Sequence, residues 1–481
     1  MTGLGGQITR LAQHSAIYGL GGLVSRFVAL LLLPLYTRYL TPADYGAVET
    51  LVALAAILAT ILRLGIASAF FRFYFDSADR AHRLRVVRTS FWFTMTMATI
   101  GLVAGLALAG QISEWLFDTD DRTTLVRMAF VLLWAQMNFE QMTALFRVEE
   151  RAVAFTAATL ANLVITVAAT VVFVVVLDWG ATGVIAGNFT GTLTVYAALL
   201  VYRHQQLGLT LDRQLLRQMN RFGLPLVPSM LALWMLNFGD RFFILKLADA
   251  SEVGVYSIGS RIASAMVLLL TAFRAAWPAF AFSIEDDEHA RRAYSYVLTY
   301  LLFVASWAAL ALGLLAPWIV EWLTTPAFYG ASDVVGLLAF GAVAFGGFIV
   351  VSIGLGRTKR TQFNWVVTGS AAVVSVTLNL LLIPRHGIVG AGIANLCAFT
   401  VMFLGITWWS QRVFWVPYQW RRVVTVIGTA AGLTVLGKAL DVPLAAAIAL
   451  VAVYPLVLWP LRFYLPDELA AIRTRAARTA P

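Results

Sequence analysis

Long apolar runs, each closed by a short polar turn, follow one another from the start of the chain to its end. Most are about twenty residues long, the length an α-helix needs to cross roughly 30 Å of hydrocarbon. The pattern predicts fourteen membrane-spanning helices, at 16–38, 45–71, 90–110, 124–146, 153–177, 181–202, 222–246, 253–282, 294–316, 333–355, 362–383, 388–410, 423–440 and 443–463. No stretch shows the strict alternation over about ten residues that marks a transmembrane β-barrel. The expected fold is therefore all-α and integral to the membrane. The last pair of spans is short and interrupted by Pro443, Pro455 and Pro460.

Composition agrees: 12% of residues are charged and 60% hydrophobic, where a soluble chain carries about 25% charged residues. A net charge of +10 on a soluble protein would raise nucleic-acid binding. Here most Lys and Arg residues lie in short loops between spans, so membrane orientation accounts for them and no nucleic-acid partner is expected. With the N-terminus inside, inner segments hold Arg72, Arg80, Arg83, Arg85, Arg88, Arg147, Arg151, Arg203, Arg213, Arg217 and Arg221, and the same bias continues to the C-terminus. Outer turns such as 114–121 are acidic. Both termini are expected to be cytoplasmic. The acidic inner loop Glu285-Asp286-Asp287-Glu288 runs against the trend, but the rule counts Lys and Arg rather than net charge. The single cysteine, Cys397, excludes an intramolecular disulfide and a cysteine-based metal site.

A repeat runs through the apolar pattern. The turn Leu40-Thr41-Pro42-Ala43-Asp44-Tyr45-Gly46 returns 208 residues later, altered, as Ala248-Asp249-Ala250-Ser251-Glu252-Val253-Gly254. Gly180 to Asn188, opening the sixth span, returns at an offset of 207 as Gly387 to Asn395, opening the twelfth. Arg151 matches Lys359 at 208. The expected organisation is a six-helix lobe at 1–212, a second at 213–420, an extra helix pair at 421–465 and a cytoplasmic tail at 466–481. Six spans per copy is an even number, so both copies share one orientation and flank a central cavity about an axis along the membrane normal.

No catalytic constellation emerges, and the chain is not expected to be an enzyme. The histidines are scattered without metal-ligand spacing, and no Gly-x-x-x-x-Gly-Lys-Ser/Thr loop is present to cradle a nucleotide. Neither a metal nor a cofactor is expected. The sharper signal is arginine inside apolar spans, which is costly and marks function by default. Arg26 lies roughly 15 Å into the first span and Arg261 roughly 12 Å from the outer end of the eighth, both too deep to snorkel. Arg63 and Arg274 fall near inner ends and Arg241 near an outer end, where snorkelling to the interface remains open beside substrate contact. A guanidinium binds phosphate oxygens as a bidentate fork and stays charged, so these five arginines are candidates for binding an anionic substrate group. They do not superimpose in the repeat: 208 residues after Arg26 stands Trp234, and after Arg63, Thr271. Glu140, Asp240 and Glu49 are candidates for ion coupling. Glu140, with Gln136, Asn138 and Gln141 near it, fits a helix-packing hydrogen-bond cluster equally well, and Asp240 could pair with Arg241 or Arg261.

The chain as a whole resembles the polysaccharide transporter family, the Wzx-like O-antigen and exopolysaccharide flippases of the multidrug/oligosaccharidyl-lipid/polysaccharide exporter superfamily. The residues that carry the resemblance are 32–46, reading LLPLYTRYLTPADYG, with their echo at 249–257 and the run from Gly387 to Asn395. It implies two six-helix lobes, alternating access, and export of an undecaprenyl-diphosphate-linked oligosaccharide across the bacterial inner membrane for O-antigen lipopolysaccharide or exopolysaccharide. A polysaccharide polymerase and other assembly proteins would be partners. Arg26, Arg63 and Arg261 match in kind the cations that line such cavities. Three other functions stay open: an ion-coupled drug/cation antiporter of the same superfamily, which would want carboxylates at cavity depth; a lipid II flippase; and a membrane glycosyltransferase or polymerase, which would want a large outer loop.

Overall fold

The computed structural model describes residues 24, 27–358, 360 and 363–465. Every regular element among the described residues is helical. Ten helices are long and apolar enough to cross a membrane, and two shorter apolar helices lie at Phe27–Tyr39 and Leu444–Val457. As far as their residues are described, the fourteen expected spans lie mainly on helices, those at 45–71, 90–110 and 253–282, for example, being divided between two, and the last running past the end of its helix at Val457. The spans at 362–383 and 388–410 run on as one element, bent at Gly387.

Two compact units divide the chain. The first runs through Ile258 and takes in Leu323–Phe328 and Asn379–Ile388. Its helices are α1 (Leu33–Tyr39), α2 (Pro42–Arg63), α3 (Ile66–Tyr74), α4 (Arg80–Ala107), α5 (Ala109–Phe117), α6 (Thr123–Val148), α7 (Ala152–Val171), α8 (Gly180–Leu207), α9 (Arg213–Gly223), α10 (Val227–Leu247) and the start of α11 (Ala250–Ala263). Local chemistry sets the helix starts. Pro42 stands in the first turn of α2, where a missing N–H costs nothing. Asp79 caps α4 by accepting from the Ala81 and His82 amides, which hold its carboxyl below the usual range. The core of this unit joins α3, α4, α6, α8 and α9 around Phe70, Val86, Met142, Tyr196 and Met219.

The second unit holds Gly259–Trp322, Tyr329–Leu378 and the chain from Val389. It contains α12 (Ala265–Ser283), α13 (Asp287–Leu323), α14 (Ser332–Val351), α15 (Ile353–Arg357), most of α16 (Phe363–Val413), α17 (Trp420–Ala439) and α18 (Leu444–Val457). The extra pair α17–α18 docks on α13 through Leu310, Leu314, Val426, Tyr454 and Phe463. Trp307 adds a bond from its indole N–H to the Val451 carbonyl at 2.7 Å.

The repeat is visible in backbone detail. Thr41 Oγ1 accepts from the Asp44 amide at 3.2 Å, and 208 residues on, Asp249 Oδ1 accepts from the Glu252 amide at 2.9 Å. Gly180 and Gly387, the glycines that open the sixth and twelfth spans, both take positive φ, at 51° and 53°. The two copies of the turn also meet. A Cβ on Gly46 would lie 1.8 Å from the Ala250 carbonyl oxygen, and one on Gly254 would lie 2.1 Å from that of Pro42. Residues 42 and 46 thus exchange roles with 250 and 254, as a two-fold interface requires.

Replacing Gly46 or Gly254 with Ala forces a methyl into a backbone carbonyl that cannot rotate away. Each change is expected to cost at least about 1–3 kcal/mol of stability, read by thermal unfolding of the purified protein in detergent. Gly432→Ala, at a position open for 4 Å around, is expected to leave the transition unmoved.

Candidate functional site

The second expected span does not run unbroken from 45 to 71. Leu64 and Gly65 both take positive φ, at 46° and 74°, which ends α2 at Arg63 and restarts the chain as α3. The break is held from outside: a Cβ on Gly65 would stand 2.2 Å from the Gly223 carbonyl oxygen, at the end of α9. Two glycines let the break at Leu64 and Gly65 meet the helical backbone at Gly223 directly. Arg63 therefore sits in the last turn of a helix that ends inside the span, where unpaired carbonyls favour a cation.

Glu140 meets it there. The Arg63 Nη1 donates to Glu140 Oε2 at 2.6 Å, with side chains 19% and 56% exposed. Glu140 lies eight residues before the end of α6, roughly 12 Å along the helix axis. A carboxylate more than half exposed calls for water rather than lipid beside it, because hydrocarbon would neutralise or expel it. α6 is not among the ten strongly apolar helices. Its polar residues divide the two readings between them. Gln141 donates to Ser90 at 3.0 Å, and Asn138 to the Trp134 carbonyl at 2.8 Å, both buried as packing bonds. Glu140 turns to the open side.

A second cluster lies toward the other end of α2 and is sealed. Glu49 Oε2 stands 3.5 Å from Arg241 Nε, with side chains 9% and 7% exposed. Arg241 also donates to the Asn237 carbonyl at 3.2 Å and lies over the Phe238 ring. Beside it, Asp240 accepts from the Tyr256 hydroxyl at 2.6 Å and from Asn379 Nδ2 at 2.9 Å. Asp240, Tyr256 and Asn379 are buried. Glu49 and Arg63 are fourteen residues apart on α2, roughly 21 Å. One helix thus carries a closed ion pair near one end and an open one at the other.

Of the remaining candidates, Arg261 lies half-buried in the last turn of α11, which stops one residue before α12 begins at Ala265. Ser264 keeps a helical φ of −62°, so the second copy is not broken there as the first is at Leu64 and Gly65. Arg274 is exposed within α12. Arg26 lies outside the described residues. Tyr256 and Asn379 were missed in the sequence. The only available signal was a lone Asn in an apolar run. Among the described residues no group of three or more His, Cys, Asp or Glu could hold a metal.

Helices of this number, length and apolarity define an integral membrane protein. The family model described as "Polysaccharide biosynthesis protein" matches residues 35–333, more than half of the chain, which belongs to that family. No curated protein matches significantly. Among solved structures, the fold is similar to that of the lipid II flippase MurJ in an inward closed conformation, at a TM-score of 0.73 and 11% identity over 92% of this chain and 99% of that one. It is similar to an inward-facing multidrug resistance MATE family transporter of the MOP superfamily, at 0.65 and 16% over 88% and 99%. It also resembles a MOP superfamily transporter from Pyrococcus furiosus, described as having a binding pocket of reverse polarity, at 0.55 and 14% over 87% and 96%.

The two ion pairs are expected to respond differently to substitution. Arg241→Met takes a cation away from the buried Glu49 carboxylate, at a cost of about 3–5 kcal/mol; adding Glu49→Gln is expected to recover much of it in thermal unfolding. Arg63→Gln and Glu140→Gln are expected to change stability by less than about 1 kcal/mol, because the pair is open to water.

Proposed function

We propose that the chain is a flippase for an oligosaccharide carried on undecaprenyl diphosphate, moving it from the cytoplasmic to the outer face of the inner membrane for cell-surface polysaccharide assembly. The observation that carries this reading is the open Arg63–Glu140 pair at a break in an apolar helix. Glu140 serves as a resident anion. A diphosphate offers more charge and several pairs of oxygens for a two-pronged contact, so it competes for the guanidinium and displaces Glu140. Membership of the polysaccharide biosynthesis family and a fold shared with a lipid II flippase support the same substrate class.

Arg63 then takes the head group at the inner end, with Arg274 at the entrance of the second lobe and Arg26 and Arg261 deeper. The lobes 1–212 and 213–420 rock about the glycine contact, and the polyprenyl tail stays in lipid. The cluster of Glu49, Arg241, Asp240, Tyr256 and Asn379 must part before the cavity opens outward. Its two carboxylates are the natural point at which an ion drives that step.

Cells lacking the gene are expected to accumulate the undecaprenyl-diphosphate glycan on the cytoplasmic side. Normal export with altered drug sensitivity would point to cation antiport and sink the proposal. In reconstituted vesicles, Arg63→Gln is expected to slow glycolipid translocation by roughly 10- to 100-fold, the loss of one charge-assisted bond of about 1.5–3 kcal/mol, with Arg63→Lys intermediate.

A further inference from the structure

The helix α9 joins the two copies of the repeat and carries three arginines on one face. Arg213, Arg217 and Arg221 are four residues apart, so they form a stripe along an eleven-residue helix. Gln214 and Gln218 flank the stripe, and all five side chains are exposed. The opposite side buries Leu215, Met219 and Gly223. Among the described residues none of the three arginines has a carboxylate or hydrogen-bond partner. Structural arginines at the same end of the unit do: Arg203 forms a two-pronged pair with Glu149 at 2.6 and 2.7 Å, and Arg88 donates to the Gln206 carbonyl at 3.1 Å.

The stripe is held on a fixed stage. Three residues of α4 grip the segment that leads into α9. These are Arg88, the Trp92 indole donating to the Gly208 carbonyl at 2.8 Å, and Thr89 accepting from the Asp212 amide at 3.2 Å. Asp212 then caps the helix by accepting from the Gln214 and Leu215 amides, both at 3.0 Å.

Two observations set the depth of this face. The continuous helical run Arg213–Leu247 has 35 residues, roughly 50 Å at 1.5 Å each, against a hydrocarbon core of roughly 30 Å. The α9 turns therefore lie beyond the core. Apolar side chains are nevertheless exposed around the arginines, with Leu209 88%, Phe75 58%, Leu224 52% and Phe222 43% exposed. Charged and apolar groups exposed together, at the edge of the core, are what a helix at headgroup depth displays. The density of arginine at this end assigns it to the cytoplasmic leaflet, where anionic lipid attracts such residues.

We propose that the arginine face of α9 binds the phosphate headgroups of anionic phospholipids in the cytoplasmic leaflet. This rests on the inside orientation of the basic end and not on the transport reading. Each arginine near a charged surface contributes about 1 kcal/mol, a factor of about five in lipid affinity. The test is native mass spectrometry of the full-length protein in detergent, titrated with phosphatidylglycerol or with phosphatidylcholine. Wild type is expected to retain phosphatidylglycerol preferentially. Arg213→Gln/Arg217→Gln/Arg221→Gln is expected to weaken that retention by roughly a hundredfold, with an unchanged thermal transition. The triple Lys variant is expected to keep most of it, and Arg292→Gln, whose partner is Glu288, to keep all of it. Equal retention by the triple Gln variant and wild type overturns the proposal. So does an equal loss in Arg292→Gln, which would make the effect one of net charge. Because the readout is bound lipid, a failed transport reading would leave this result standing.

Discussion

A charge inside hydrocarbon must end on a partner, at a helix terminus or in water, and this constraint organises the chain. Arg63 uses all three: a carboxylate partner, the carbonyl end of a helix broken for the purpose, and an open side. The break needs a residue that tolerates positive φ and a neighbour that comes close, and Gly65 and Gly223 supply these. The end of α2 is thus arranged around one guanidinium.

The two pairs on α2 illustrate how burial decides what an ion pair is for. Glu49 and Arg241 are sealed in protein, where separating them leaves a charge that water cannot reach. Such a pair holds helices together and makes their parting steep. Arg63 and Glu140 are open to solvent, where parting an ion pair costs little. The pair that is costly to part lies at one end of α2 and the one that is not at the other, with roughly four helical turns between them.

Much of this was legible beforehand, for physical reasons. Length and apolarity are enforced residue by residue by the bilayer, so spans can be read directly. The repeated turn survives because its caps, Thr41 and Asp249, and its glycines, Gly46 and Gly254, each meet a backbone demand that few side chains satisfy. Partner choice was not legible. Arg63 and Glu140 are 77 positions apart, and Asp240 and Asn379 are 139 apart; nothing local links either pair. The break at Leu64 was hidden for a different reason. Leu–Gly in an apolar run reads as ordinary helix, and only the approach of Gly223 makes the left-handed pair necessary. The polar patch around Glu140 was seen but could not be apportioned, since helical phase alone does not say which side is wet.

The contact of Gly46 with Ala250, mirrored by Gly254 with Pro42, carries a historical implication. An interface in which each half offers the other the same surface is what two identical chains make when they pair. A half-length ancestor with that glycine would have met a second copy of itself there, in parallel, before any linker joined them. Fusion then left the two linings free to diverge: 208 residues after Arg63 stands Thr271, with no charge to place. The glycines had no such freedom, since each occupies space that the other's backbone already fills.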